Sequence, residues 1–345
     1  MESIFYGALC LALLGFFAWR WWVYRPAPAP APAVTNTVAI APVAPPPPVV
    51  RRVTPAVSPT EPRPVQNILE AQIALARLGI SSGSIDGVAG SQTRAALMAF
   101  QKMHALVPNG ILSSNTKALL LITPPVMTNY TISTEDLGRL MPLPKTWLEK
   151  SEQPRLDFEN VLELLGEKAF SHPQLIRSLN PDISWTNLSA GAQVIIPRVE
   201  YPPVASRAAL IKISLQDCVL EAFDSDANLL VHFPCSIGHV AEKRPTGELH
   251  VANIALDPNY TFDPDVFPES AEAQEIGRKL IIPPGPRNPV GVAWIGLDRP
   301  GYGIHGTPAP ERVGRTESHG CFRLANWNAR YLARLAWVGL PVTVE

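Results

Sequence analysis

Ala209-Leu210-Ile211-Lys212-Ile213-Ser214-Leu215 spaces Ala209, Ile211, Ile213 and Leu215 two residues apart, so all four fall on one face of an extended strand. Further along, 219–223 and 229–233 are short apolar runs flanking Asp224-Ser225-Asp226-Ala227-Asn228, a turn-forming stretch, and this spacing predicts a β-hairpin. Short strands are expected again at 248–252, 292–295 and 342–344, with one helix over 326–338. Residues 204–345 therefore read as a mainly-β domain, a β-sandwich or β-barrel carrying a helix. The hairpin also sets the relation between Cys218 and Cys235. Pairing Asp224 with Leu229 puts the two cysteines directly opposite each other, whereas pairing Phe223 with Leu229 sends them to opposite faces. Directly opposed strand residues have Cα atoms about 4.5–5.5 Å apart, the short end of the disulfide range, so two free thiols are expected in either case.

Within this domain, Gly303-Ile304-His305-Gly306-Thr307 precedes Ser318-His319-Gly320-Cys321-Phe322-Arg323-Leu324. A thiol at its free pKa of about 8.5 is mostly protonated at neutral pH, and a histidine within hydrogen-bond reach can take that proton and leave a nucleophilic thiolate. His305 lies 16 positions before Cys321 and can face the thiol from a neighbouring strand; His319 is two residues away and need not point at the sulfur. Gly320 removes a side chain beside the nucleophile, which lets backbone N–H groups at Gly320 and Cys321 approach a developing oxyanion. The run suits acyl transfer through a thioester. Three other readings stand beside it: His305, His319 and Cys321 as zinc ligands lacking a local fourth, the same residues as buried polar members of a loop, and a binding-only domain without activity.

The rest of the chain is modular. Residues 1–25 read as a membrane anchor, because 3–23 is apolar except for Arg20 and would span about 31 Å as a helix. Trp19, Trp21, Trp22 and Tyr24 gather at its C-terminal end, where amphipathic rings settle at the lipid boundary. Arg20 and Arg25 follow the run and by the positive-inside rule would hold the remainder in the cytoplasm, so orientation has to be argued from function. A cleaved signal peptide is the competing reading, although no Lys or Arg precedes the apolar run. Leu9 stands where a lipoprotein signal needs a small residue before Cys10. Residues 26–64 hold 13 of the 37 prolines and form a linker that extends on the order of 100 Å as polyproline II. Residues 65–122 show helical periodicity around glycine and aspartate turns, a small all-α three-helix unit. Residues 124–203 are expected to be a small α+β domain, with helices at 159–169 and 173–179 and a closing strand at 191–197. A formal net charge of −1 argues against nucleic acid as a partner, and four scattered cysteines exclude a disulfide-built fold or a paired zinc framework.

The run from Gly303 to Leu324 resembles the YkuD-type L,D-transpeptidase catalytic domain, and Phe233-Pro234-Cys235-Ser236-Ile237-Gly238, Arg244-Pro245-Thr246-Gly247 and Pro283-Pro284-Gly285-Pro286-Arg287-Asn288 upstream agree with it over 206–345. The resemblance implies Cys321 as nucleophile, His305 as its proton acceptor and donor, and the Gly306 carbonyl as the group orienting that imidazole. It implies that His319 and the backbone at Gly320 and Cys321 stabilise the tetrahedral intermediate, with Ser318 and Arg323 on the substrate side and Arg323 near substrate carboxylates. Phe322 is bulkier than the usual residue there. The implied reaction attacks the carbonyl of the third residue of a peptidoglycan tetrapeptide stem, commonly meso-diaminopimelate, and expels D-alanine. The acyl group then passes to the amine of a second stem, to water in an L,D-carboxypeptidase, or to a lipoprotein. No cofactor and no metal is implied. Residues 65–122, with Ile85-Asp86-Gly87, Gly90-Ser91-Gln92-Thr93-Arg94 and Asn109-Gly110-Ile111-Leu112, resemble the peptidoglycan-binding family 1 domain, and the end of 124–203 is similar to a LysM module without its usual opening. The implied partners are peptidoglycan stem peptides and glycan, with the cytoplasmic membrane held through the N-terminal helix of a bacterial, extracytoplasmic enzyme. An inactive wall-binding scaffold is the alternative from another class.

Overall fold

The computed structural model describes residues 61–238, 244–267, 269–315 and 320–345. The expected anchor, most of the linker, and Ser318 and His319 lie outside the described residues. Among the described residues no helix is long and apolar enough to cross a membrane.

The first folded unit begins before the expected boundary at Val65. Strand β1 (Arg63–Pro64) pairs with β2 (Leu121–Ile122), and Arg63 makes a two-pronged contact with Glu70 at 2.7 and 2.8 Å. That ion pair anchors residues assigned from composition to the linker. Helix α1 (Ile68–Arg77) starts where the Asn67 side chain accepts from the Glu70 N–H and stops at Gly79, whose φ of +82° continues no helix. Helices α2 (Ser91–Met103) and α3 (Ser114–Leu119) complete the expected three-helix unit. Ile73, Leu75, Leu97 and Phe100 are fully buried in its core, each contributing about 1.5–3 kcal/mol over exposure.

The second unit contains β3 (Met127–Thr131), the short helices α4 (Thr134–Gly138) and α5 (Trp147–Ser151), then α6 (Val161–Lys168), α7 (Pro173–Leu179) and β4 (Gln193–Pro197). Antiparallel pairing of β3 with β4 makes a two-stranded sheet against which α6 and α7 pack through Leu164, Leu165, Ile176 and Val194. The segment carrying α5 leaves this core, and Trp147 stacks at 4.5 Å on Phe262 of the next domain.

The third unit runs through β5 (Leu210–Ser214), β6 (Val219–Phe223), β7 (Leu229–Pro234), β8 (Gly247–Leu256), β9 (Tyr260–Phe262), α8 (Ala271–Ile276), β10 (Leu280–Ile282), β11 (Ala293–Leu297), β12 (Gly303–His305), β13 (Phe322–Arg323), α9 (Asn326–Leu335) and β14 (Pro341–Val344). Its main sheet has the order β13-β12-β11-β8-β14-β5-β6-β7 among the described residues, with β9 and β10 in a separate pair. The two edges meet: Ser236, just past β7, and Arg323 in β13 exchange N–H···O bonds of 2.9 Å each. One curled sheet, not two facing sheets, is thus what the alternating pattern builds, and α9 covers it with Tyr331, Leu332 and Leu335.

The hairpin holds both registers weighed from the sequence. Val219 to Ala222 pair so that Cys218 falls opposite Cys235, while Phe223 pairs with Leu229 and leaves Leu230 as a bulge. Cys235 donates its N–H to the Cys218 carbonyl at 2.8 Å, and both thiols are free.

The peptidoglycan-binding-like unit docks on the exposed edge of β7. His232 donates its N–H to Gly79 O at 3.1 Å and accepts from Ser81 N–H at 2.8 Å, so Gly79 to Ser81 cap an edge that would otherwise be open. Asn328 of α9 donates to Ser81 Oγ at 3.3 Å, and Phe170 stacks on Trp327 at 5.5 Å. Tyr201, placed before the expected domain start, packs on Phe233 and Tyr331 and donates to Asn328.

Candidate active site

Parallel strands need a crossover of about a dozen residues or more, and the chain between β12 and β13 supplies it. Pairing Ile304 with Phe322 and His305 with Arg323 brings together two segments that the sequence separates. Continuing that register one step puts Cys321 opposite Gly303, with Cys321 and Arg323 on the face that His305 shares. The Cys321 Sγ lies 3.5 Å from Gly301 O and is partly exposed. Burial raises the thiol above its ordinary value, while the Gly303 backbone and the Arg323 charge pull it back down. Burial in turn lowers the Arg323 guanidinium, which the charge on Cys321 raises.

His305 is 5% exposed, and burial lowers its pKa to about 4, so the imidazole is neutral at physiological pH. Its Nδ1 lies 2.6 Å from Gly306 O and therefore carries the proton, which leaves Nε2 as the basic nitrogen. Trp294, paired with His305 across β11 and β12, stacks on the ring at 5.7 Å. Gly306 has no room for a side chain: a Cβ there would stand 2.2 Å from Asn326 Oδ1. Gly320 adopts φ +147°, a region open to glycine, and its Cα would be 3.0 Å from a Cβ on Gly238. His305, Gly306, Gly320, Cys321 and Arg323 are thus gathered at one corner of the sheet, whereas nothing is described for Ser318 and His319.

Three residues near this corner carried no signal in the sequence. The Tyr260 phenol is raised by burial and by the charge at Cys321, which makes it a neighbour of the thiol from the β9–β10 pair. Asn326, 1% exposed, donates to Pro286 O at 3.0 Å and accepts from Val292 N–H at 3.3 Å, bracing the loops on both sides of Gly306. Glu167 of α6 lies 3.5 Å from the Asn326 amide, at the wall of a cavity of about 710 Å³ between α6, α7 and residues 308–312.

Residues 208–344 match the YkuD family, the L,D-transpeptidase catalytic domain, and residues 64–120 match a peptidoglycan binding domain. This chain carries an L,D-transpeptidase catalytic domain. A Bacillus licheniformis protein named for L,D-transpeptidase activity, YkuD, is 26% identical over 171 residues, which cover 50% of this chain and 85% of that one. The probable L,D-transpeptidase ErfK/SrfK of Escherichia coli is 30% identical over 45% of this chain and 49% of its own. The solved L,D-transpeptidase of Xylanimonas cellulosilytica aligns with 83% of this chain and 100% of that chain at 16% identity, with a TM-score of 0.35. The L,D-transpeptidase domain makes the protein an enzyme of peptidoglycan, preceded by a domain that binds the same polymer. The segment between them, expected to be LysM-like, matches neither family.

The buried His305 and the half-buried Glu167 give this L,D-transpeptidase opposing pH dependences. His305 binds a proton on unfolding below pH 6.5, so its contribution is present above that value and is lost as pH falls towards about 4. Glu167, raised by burial to about 7, releases a proton on unfolding; its contribution is present below pH 4.5 and is lost as pH rises through 7. The two slopes offset each other in the parent protein. A Glu167→Gln variant is expected to reveal the His305 slope and lose on the order of 3 kcal/mol more than the parent between pH 6.5 and 4. Urea midpoints measured across that range check this, and parallel profiles for parent and variant would contradict it.

Proposed function

We propose that the enzyme is a membrane-anchored, extracytoplasmic L,D-transpeptidase whose Cys321 transfers the acyl group of a tetrapeptide stem to the amine of a second stem. The observation that carries this reading is the parallel β12–β13 pair, which sets a neutral His305 and the Arg323 cation beside Cys321. In the first half-reaction His305 Nε2 takes the thiol proton and the thiolate attacks the carbonyl of the third stem residue. The peptide C–N bond breaks, the imidazolium returns its proton to the departing D-alanine amine, and a thioester remains. The backbone at Gly320 and Cys321, with His319, meets the oxyanion, and Arg323 meets a substrate carboxylate. In the second half-reaction an amine attacks the thioester, its proton passes to His305, and the thiol is restored. Water in place of the amine makes the enzyme an L,D-carboxypeptidase. Such a substrate exists outside the cytoplasmic membrane, which favours an anchor at 3–23 with the catalytic domain on the outer side despite Arg20 and Arg25. The two helices on the β3–β4 sheet support a further, LysM-like glycan contact.

The test is to incubate the full chain with purified disaccharide-tetrapeptides and identify products by mass. Loss of one D-alanine with appearance of a 3→3 dimer is the expected result. Loss of D-alanine without a dimer assigns the carboxypeptidase reaction, and unchanged substrate refutes the proposal.

A further inference from the structure

We infer a second ligand site at the junction of the peptidoglycan-binding domain, α7 and residues 311–315, one that takes the zwitterionic free end of a diamino-acid residue in an uncross-linked stem peptide. The inference rests on the reading of the enzyme given above. A cavity of about 300 Å³ lies there, with Ser82, Ser84, Asp86, Gln92, Glu311 and Arg315 on its walls. Ser82 is 4% exposed, yet its hydroxyl and that of Ser84 have no hydrogen-bond partner among the described residues. A buried hydroxyl left unpaired is costly, so two of them on residues that line one cavity mark a place where a ligand supplies the partners.

The charges say what kind of ligand. The Asp86 carboxylate uses Oδ1 to accept from the Gln72 amide and the Val88 N–H, each at 2.8 Å, and keeps Oδ2 unengaged. Neither Glu311 nor Arg315 makes a side-chain ion pair among the described residues. Two carboxylates and one guanidinium around two free hydroxyls complement an ammonium and a carboxylate on one carbon, joined to a peptide that accepts hydrogen bonds. A neutral saccharide would leave all three charges unmatched, and no indole or phenyl ring lines the cavity to stack on a sugar face.

The site is wired to the reacting corner. Gln92 donates from Nε2 to Val313 O at 2.5 Å, and Gly314 donates its N–H to Ser236 Oγ at 2.8 Å. Ser236 is the residue that pairs with Arg323, two positions after Cys321. A stem seated in the cavity therefore touches the segment that joins His305 to Cys321. Once the free amine of that stem is acylated in a 3→3 cross-link, its positive charge is gone and its carboxylate is left among Asp86 and Glu311. The site thus favours stems that can still act as acceptors.

The experiment uses the full chain carrying Cys321→Ala, so that no turnover occurs, and measures binding of L-alanyl-γ-D-glutamyl-meso-diaminopimelate by calorimetry. Ser82→Ala and Arg315→Gln, each added singly, are expected to weaken binding at least 10-fold; Ser82→Ala removes a hydroxyl that makes no hydrogen bond among the described residues, so it leaves folding intact. The same tripeptide acetylated on its free diaminopimelate amine is expected to bind the parent at least 10-fold more weakly. Equal affinity in both variants, equal affinity of the acetylated peptide, or displacement of the tripeptide by N-acetylglucosamine tetramer would overturn the site as assigned. D-alanine release by protein with intact Cys321 is scored separately. Release without any effect of Ser82→Ala on binding refutes the site alone, and absence of release with weakened binding in the variants refutes the proposed activity alone.

Discussion

Cys321→Ser protein should release no measurable D-alanine from a tetrapeptide, by either transfer or hydrolysis, a loss on the order of 1,000-fold or more. The thiol already sits above its ordinary pKa because of burial, against which the Gly303 backbone and the Arg323 cation pull it down, and on the proposed mechanism the neutral His305 takes its proton. A serine hydroxyl in the same place starts several units higher, and none of these groups lowers it far enough. The substitution exchanges sulfur for oxygen at a partly exposed position, so folding is unaffected and the loss reads chemistry. Mass spectrometry of the reaction, with thermal unfolding as control, checks both halves of the expectation; retained turnover would move the nucleophile elsewhere.

His305→Ala is expected to slow the reaction by roughly 100-fold or more, the scale of a positioned general base. The pH profile is the sharper readout. With His305 titrating at about 4, the parent should keep its kcat/KM well below pH 6.5, because the base is still neutral there. Without the imidazole the thiol must lose its proton to solvent, and the residual rate should climb about tenfold per pH unit until the raised thiol pKa is reached. A variant with normal rate and an unchanged profile would transfer the role of base to His319.

Much of the fold was legible because it is written in local patterns. The turn at 224–228 and the strands on both sides of it follow from period-two spacing, and α7 starts and ends where its proline and asparagine put it. Register was less legible. Leu230 bulges out of the hairpin, so two pairings that exclude each other in a regular ladder coexist a few residues apart. Of the reacting corner, His305, Gly320 and Cys321 could be read from residue type and spacing, and Gly306 and Arg323 only from the family resemblance. Asn326 could not, because its importance lies in what it excludes: the space that side chains at Gly291 and Gly306 would need is filled by its amide. Glu167 and Tyr260 reach the site from other elements, and a glutamate on a helix or a tyrosine in a short strand carries no mark of such a contact. The linker boundary failed for a related reason, since proline content described residues 63 and 64 correctly but the ion pair of Arg63 with Glu70 decides where folding begins.

The strand edge at His232 gives this enzyme two different kinds of length. Because Gly79 to Ser81 are hydrogen-bonded into that edge, the separation between the peptidoglycan-binding domain and the Cys321 thiol is a dimension of the protein itself, as fixed as the spacing between two strands. The proline-rich sequence before residue 61 is expected from its composition to supply the opposite, a reach set by chain length and stiffness. On the proposed membrane-anchored reading, insertions or deletions there would change how far from the membrane the enzyme works, while leaving unaltered the separation between its two domains.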